Sequence, residues 1–210
     1  FYDRFVECAE RWPQNVAVEI QLPDRLESYT YAELRRMAES IGAWFVGKQL
    51  EAGARVAILA DNHPRWVAAY LGIIAAGGAA VPLDTAYHAD QVAKLLNDSG
   101  SAWLICDPKH LEVAHEAVRG IRVRLLLTEL SNQDSSLADL DQIFKESTGS
   151  FTPVPRKLDD LASLLYTSGT TADPKGVMLV HANLLGEADA VFAWANIGPS
   201  DAILGVLPLF

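Results

Sequence analysis

Four short apolar runs in the middle of the chain are separated by segments of helix length. The runs are Arg55–Ala60, Ala79–Leu83, Ala102–Cys106 and Arg122–Leu127. The segments between them are Trp66–Ala76, Ala89–Asn97 and Pro108–Val118. Runs this short and this uniformly apolar suit strands covered on both faces. Parallel neighbours need a crossover of a dozen or more residues, usually a helix. The pattern therefore predicts an α/β chain, a largely parallel β-sheet with helices on both faces. The punctuation agrees. Asp61-Asn62-His63-Pro64 offers a cap residue and a proline suited to the first helical turn. Ser99-Gly100 closes the second helix.

The flanking segments are read by the same rules. Phe1–Trp12 is an amphipathic helix, with Phe1, Phe5, Cys8, Ala9 and Trp12 along one side, and Pro13 stops it. Val16–Leu22 alternates as a strand, and Pro23-Asp24 turns it. Thr30 with Glu33 makes a capping box that opens a helix to about Leu50, ended by Ala52-Gly53. Ser131–Ser136 reads as polar loop, Leu137–Glu146 as a short helix and Ser147–Pro155 as a surface linker. A strand over Leu161–Tyr166 and a short one over Val177–Val180 follow. A helix then runs from His181-Ala182-Asn183 to about Trp194, and Ala202–Leu207 is a final strand. Residues 1–155 thus form α/β layers, 161–180 a strand–loop–strand unit, and 181–210 the start of another α/β unit.

Composition narrows the function classes. The formal net charge is −10, the wrong sign for the basic face of a nucleic-acid binder. An acidic chain that binds a polyanion has to do so with local donors, not with its overall field. Cys8 and Cys106 show no spacing motif, so a disulfide framework or Cys-rich zinc site is not expected, and a reducing, cytoplasmic setting fits best. No charged-then-apolar leader opens the chain. Trp66–Leu83 is uncharged over a length that touches the threshold for a membrane span. Gly77-Gly78 and Pro82 interrupt it, so a buried helix, a turn and a strand explain it better. His63, His88, His110, His115 and His181 are scattered, and no metal site is expected from them. His181 reads as a helix cap, with a place near a bound ligand as its alternative. Trp44, Trp66, Trp103 and Trp194 read as core packing, and Asp159-Asp160 as solvated.

The segment richest in chemistry is Tyr166-Thr167-Ser168-Gly169-Thr170-Thr171-Ala172-Asp173-Pro174-Lys175-Gly176-Val177. Hydroxyls, glycines and a lysine follow an apolar strand. Such a loop can aim successive backbone N–H groups at one point, making an anion nest. Lys175 adds a mobile positive charge suited to phosphate oxygens. The spacing is not that of a P-loop: Gly169 is followed four residues later by Asp173, and Lys175 by Gly176. The dull alternative is a Ser/Thr/Gly-rich surface turn. A lysine and a second glycine at this distance, between two strands, favour the nest. Ser168 lacks the setting of a hydrolase nucleophile.

This loop resembles the phosphate-binding loop of the adenylate-forming superfamily, which includes acyl-CoA synthetases, luciferases and peptide-synthetase adenylation domains. The family pattern is similar to Tyr-Thr-Ser-Gly-Thr-Thr-Gly-x-Pro-Lys-Gly-Val, and this chain departs from it at Ala172. If that position needs positive φ, the Cβ costs roughly 1–2 kcal/mol. Weaker likeness covers most of the chain: Tyr29–Leu34, Arg55–Leu83, Asn97–Gly100 and Leu207–Phe210. The resemblance implies the incomplete N-terminal AMP-binding domain of a longer enzyme. Its C-terminal domain is not in residues 1–210.

The resemblance further implies that Thr167, Ser168, Gly169, Thr170, Thr171 and Lys175 cradle the phosphates of ATP, and that Thr167 touches Mg²⁺. The Mg²⁺ carboxylate, the ribose-binding residue and the catalytic residues would lie downstream of residue 210. The implied reaction joins a carboxylate, by overall likeness a medium- or long-chain fatty acid, to ATP and then to CoA. Small molecules are then the partners, with peripheral membrane association through a lipid substrate as a further expectation. Two rival readings stay open. One is a relative that binds nucleotide without catalysis; the other is an α/β scaffold whose loop matches by chance.

Overall fold

The computed structural model describes residues 1–129, 136–147, 151–167, 175–195 and 197–210. The chain opens with α1 (Tyr2–Arg11), then an antiparallel ribbon of β1 (Val16–Gln21) and β2 (Leu26–Thr30). Helix α2 (Tyr31–Gly47) starts at the predicted capping box. The Thr30 hydroxyl accepts from the Glu33 N–H, and the Glu33 carboxylate accepts from the Thr30 N–H at 2.8 Å. The alternating middle follows: β3 (Arg55–Leu59), α3 (Pro64–Ala75), β4 (Ala79–Pro82), α4 (Ala89–Ser99) and β5 (Ser101–Cys106). A 3-10 turn at Pro108–His110 leads into α5 (Leu111–Ala117), then β6 (Arg124–Leu127) and α6 (Leu140–Glu146). The described chain ends with β7 (Leu161–Thr167), β8 (Lys175–Val180), α7 (His181–Trp194) and an extended tail.

The main sheet has the order β6-β5-β3-β4-β7-β8. Its first five strands are parallel, and β8 is an antiparallel edge. The expected largely parallel sheet is therefore present. The two-residue strand period divides its side chains between two cores. Val56, Ile58, Trp103, Ile105 and Leu126 face α1, α2, α3 and α6. Ala57, Leu59, Leu104, Cys106 and Leu127 face α4 and α5. Cys8 and Cys106 are both free thiols. Among the described residues no helix is long and apolar enough to cross a membrane. Trp66–Leu83 is instead divided among α3, a turn at Gly77 and β4.

Helices α2 and α3 meet almost backbone to backbone. A Cβ at Gly72 would lie 2.6 Å from the Ile41 Cβ and 2.9 Å from the Ala38 carbonyl oxygen. That is below van der Waals contact, and a helix carbonyl cannot step aside cheaply. Arg65, at the start of α3, reaches Glu129 at 2.5 Å and Asp141 at 2.6 Å, tying α3 to the β6–α6 connection.

Several sequence expectations are corrected. Ala202–Leu207 forms no strand; among the described residues no neighbouring strand offers it a ladder. Trp194 is 90% exposed, because the helix face that carries it, with Phe192 and Val191, has no described layer above it. Helix α2 stops at Gly47, three residues before Leu50. The segment after Ser147 is more than a linker. The Val154 N–H donates to the Ala75 carbonyl at 2.8 Å, and the Val154 side chain fills the space over Gly77, whose φ is +78°. Phe151 packs over Gly42 in the same way. Asp159 is exposed, but Asp160 accepts from the Lys157 N–H and pairs with Arg156.

His181 does not cap α7. The N-cap is Val180, whose N–H donates to the Asn183 carbonyl oxygen of the side chain at 2.9 Å. The His181 ring is only 4% exposed, and its Nε2 has no hydrogen-bond partner. Burial holds its pKa below the ordinary 6.5. In the unfolded chain the imidazole takes a proton more readily, so stability is present above pH 6.5 and falls as pH drops below it.

Gly72→Ala lowers stability by about 1–3 kcal/mol through overpacking, read as a lower urea midpoint. Gly47→Ala, at a helical site with open space around it, is neutral or slightly stabilising. The urea midpoint of the unsubstituted chain falls between pH 6.5 and pH 5. His181→Gln flattens that decline, and an unchanged slope removes His181 from the account.

Candidate functional site

Parallel strands deliver all their carboxyl ends to one edge of a sheet, and open α/β folds bind ligands there. In this chain that edge carries Asp61 after β3, Asp84 after β4, Asp107 after β5, Glu129 after β6 and Thr167 at the end of β7. The neighbouring strands β3 and β5 send their next helices to opposite faces, α3 to one core and α5 to the other. A crevice between such strands is the usual ligand position.

The phosphate-loop candidate leaves from this edge. Strands β7 and β8 are an antiparallel hairpin in which Thr167 lies opposite Lys175 and Tyr166 opposite Gly176. Thr167 and Lys175, both exposed, are thus brought together at the hairpin mouth. Ser168, Gly169, Thr170 and Thr171, with Ala172, Asp173 and Pro174, lie outside the described residues. Two contacts fix the base of the hairpin. The Tyr166 hydroxyl donates to the Asp98 carboxylate at 2.5 Å, joining β7 to the last turn of α4. Burial and then this carboxylate push the Tyr166 pKa well up, so the phenol stays protonated and keeps donating. The Tyr166 ring and Leu164 also lie over Gly176. A Cβ there would sit 3.0 Å from Leu164 Cδ1 and 3.3 Å from Tyr166 Cε1. Gly176 is therefore the seat for the side chains that brace the hairpin.

A second group sits two strands away. The His110 Nδ1 and Asp107 Oδ1 are 2.6 Å apart, and Asp107 Oδ2 accepts from the Asp61 N–H at 2.9 Å. Lys109 pairs with Asp61 at 2.6 Å. Asp61, Asp107 and His110 bring ligand-type atoms within 4.8 Å of one another. The hydrogen bonds and the lysine already engage them, and they read as the brace between the β3 and β5 ends. Sequence spacing could not show this group, since its members come from two turns 46 residues apart. Spacing also gave Asp98 no role beyond its place in the Asn97–Gly100 turn.

The comparisons with known proteins decide the family. The model for AMP-binding enzymes matches residues 5–210. The chain belongs to the AMP-binding enzyme family. It is 33% identical over 181 residues to tyrocidine synthase 3 of Brevibacillus parabrevis, a match covering 86% of this chain and 3% of that protein. It is 32% identical over 181 residues to the feruloyl-CoA synthase of an Amycolatopsis species, covering 86% of this chain and 34% of that protein. The fold is similar to that of ATP-bound MatB from Rhodopseudomonas palustris. That match has a TM-score of 0.80 at 27% identity and covers 99% of this chain and 40% of that one. The chain thus spans about a third of the feruloyl-CoA synthase and a few per cent of the peptide synthase. The family is that of adenylate-forming enzymes.

Tyr166→Phe removes the bond to Asp98 and is expected to cost about 1 kcal/mol, below the usual range for a bond to a charged group because Asp98 is exposed. Asp98→Asn is expected to lose less, since its amide oxygen still accepts. Thermal melts of the two variants give the ranking, and an unchanged melting temperature in Tyr166→Phe would reject this bond as the brace.

Proposed function

We propose that the full-length protein activates a carboxylate with ATP. A carboxylate oxygen attacks the α-phosphorus, the bond to the bridging oxygen of the pyrophosphate breaks, and acyl-adenylate and pyrophosphate result. A thiol, CoA in this reading, then attacks the acyl carbon, AMP leaves, and the thiol proton passes to solvent. The observation that carries the proposal is the Tyr166–Val177 motif, set between β7 and β8 at the carboxyl edge of the sheet in a chain of this family.

The loop's part is electrostatic. Backbone N–H groups and the hydroxyls of Thr167, Ser168, Thr170 and Thr171 would hold the β- and γ-phosphates, with Gly169 allowing close backbone approach. Lys175 would carry positive charge to the departing pyrophosphate. Thr167 offers an exposed hydroxyl oxygen at the hairpin mouth, a hard donor of the kind Mg²⁺ takes. When bound, Mg²⁺ supplies charge neutralisation on the phosphates. Residues 1–210 would then be the first part of an N-terminal domain, with the adenylation residues and a C-terminal domain downstream.

For the acyl group we propose a medium- or long-chain fatty acid. Its support is the likeness around Arg55–Leu83 and the apolar Leu207–Phe210 segment. Relatives named for CoA chemistry, such as the feruloyl-CoA synthase, support CoA as the acceptor.

The test is carboxylate-dependent exchange of pyrophosphate into ATP by the full-length protein. Lys175→Ala and Thr170→Ala are each expected to slow it by about 10²-fold, as loss of one pre-placed donor does. Unchanged rates reject the loop's role. Exchange driven by ferulate or an amino acid, and not by decanoate or palmitate, rejects the fatty acid and keeps carboxylate activation. Saturable Mg-ATP binding without exchange leaves the binding-only relative standing in its place.

A further inference from the structure

Among the described residues after α7, Leu207 and Leu209 are both held by one side chain. Asn62 Nδ2 donates to the Leu207 carbonyl oxygen at 2.8 Å, and Asn62 Oδ1 accepts from the Leu209 N–H at 2.9 Å. A carboxamide presents a donor and an acceptor side by side, as a peptide group does. It can therefore pair with residues i and i+2 of an extended segment as a neighbouring strand would. Between them Pro208 has no N–H to offer, so the clamp takes the two groups that face it. Leu207 and Leu209 are otherwise exposed, and no described strand pairs with them.

The clamp's position gives it a consequence. Asn62 lies three residues past Leu59, on the carboxyl edge that also carries Thr167. Only β4 separates β3 from β7 in the sheet. With strands about 4.8 Å apart, the clamp stands roughly 10 Å across the edge from the hairpin mouth. The end of β4, between the hairpin and the pinned segment, offers a route by which a carboxylate reaches a phosphate held at that mouth.

We infer that Asn62 is a positioning residue that pins Leu207–Leu209 across the carboxyl edge and so sets the wall of the site on the carboxylate side. The clamp itself is independent of the proposed reaction; its effect on kinetics rests on that reading. Asn62 acts through the backbone it holds and touches no reacting atom.

The experiment uses the full-length protein and two readouts. The first is amide hydrogen exchange in a peptide containing Leu209. Asn62→Ala is expected to speed exchange at Leu209 at least tenfold. Asn62→Asp, which keeps the acceptor and loses the donor, is expected to fall between it and the unsubstituted protein. The second readout is KM in the pyrophosphate-exchange assay. Asn62→Ala is expected to raise KM for the carboxylate about tenfold and to leave KM for ATP within twofold. Leu209→Pro removes the same hydrogen bond from the other side at a part-exposed position, and is expected to reproduce that split. Unaltered Leu209 exchange in Asn62→Ala overturns the clamp. Faster exchange with both KM values unchanged, or both raised alike, overturns the positioning role. If the unsubstituted protein shows no carboxylate-dependent exchange, the proposed reaction fails, and with it the kinetic role; the amide measurement still decides the clamp.

Discussion

A parallel strand covered on both faces has nowhere to put a polar side chain except beyond its ends. Strands β3, β4 and β5 obey this closely: nearly every residue within them is apolar and buried. Chemistry is thereby displaced to the residues just past each strand. Because the strands run the same way, those residues collect along one edge. Asp61, Asp84, Asp107 and Thr167 are neighbours for that reason, though they come from widely separated parts of the chain. The two-sided core is therefore the constraint that assembles the site. The close fit of Gly72 against Ala38 and Ile41, and the Phe151 and Val154 contacts over Gly42 and Gly77, hold the helical layer that keeps that core dry.

The antiparallel β8 has a different task. A loop that must return its chain beside the strand it left needs a hairpin, and a parallel partner cannot provide one. Pairing Thr167 with Lys175 sets the two residues opposite each other at the hairpin mouth. The phenol of Tyr166 and the missing side chain of Gly176 carry that pairing into the body of the protein through Asp98 and Leu164. The motif thus contains both the groups that would meet phosphate and the groups that hold them in place.

What the sequence showed, and what it hid, follows from the range of the interactions. Local signals were legible: the Thr30–Glu33 box, the proline opening α3, the left-handed Gly100 closing α4, and the alternation that implied the sheet. The Tyr166–Val177 segment stood out because its parts are contiguous, and Ser168–Pro174 lie outside the described residues. Non-local pairings were not legible. Nothing adjacent to Asn62 in sequence points to Leu207, and nothing near Ser147–Pro155 points to Gly42 or Gly77. His181 and Trp194 were misread for the same reason. Their burial or exposure depends on which distant layer lies over α7.

The crossing from β6 back to β7 bears on synthesis. Strand β7 joins the sheet against β4, where the Ser163 hydroxyl bonds to the Ala80 carbonyl across 83 positions of chain. At roughly 5–20 residues per second on the ribosome, β4 waits on the order of ten seconds for the partner of its outer edge. Through that interval the nascent sheet offers a bare, apolar strand to any other chain nearby. The β7–β8 hairpin is thus made late, and the arrival of β7 is also what covers that edge of the growing sheet.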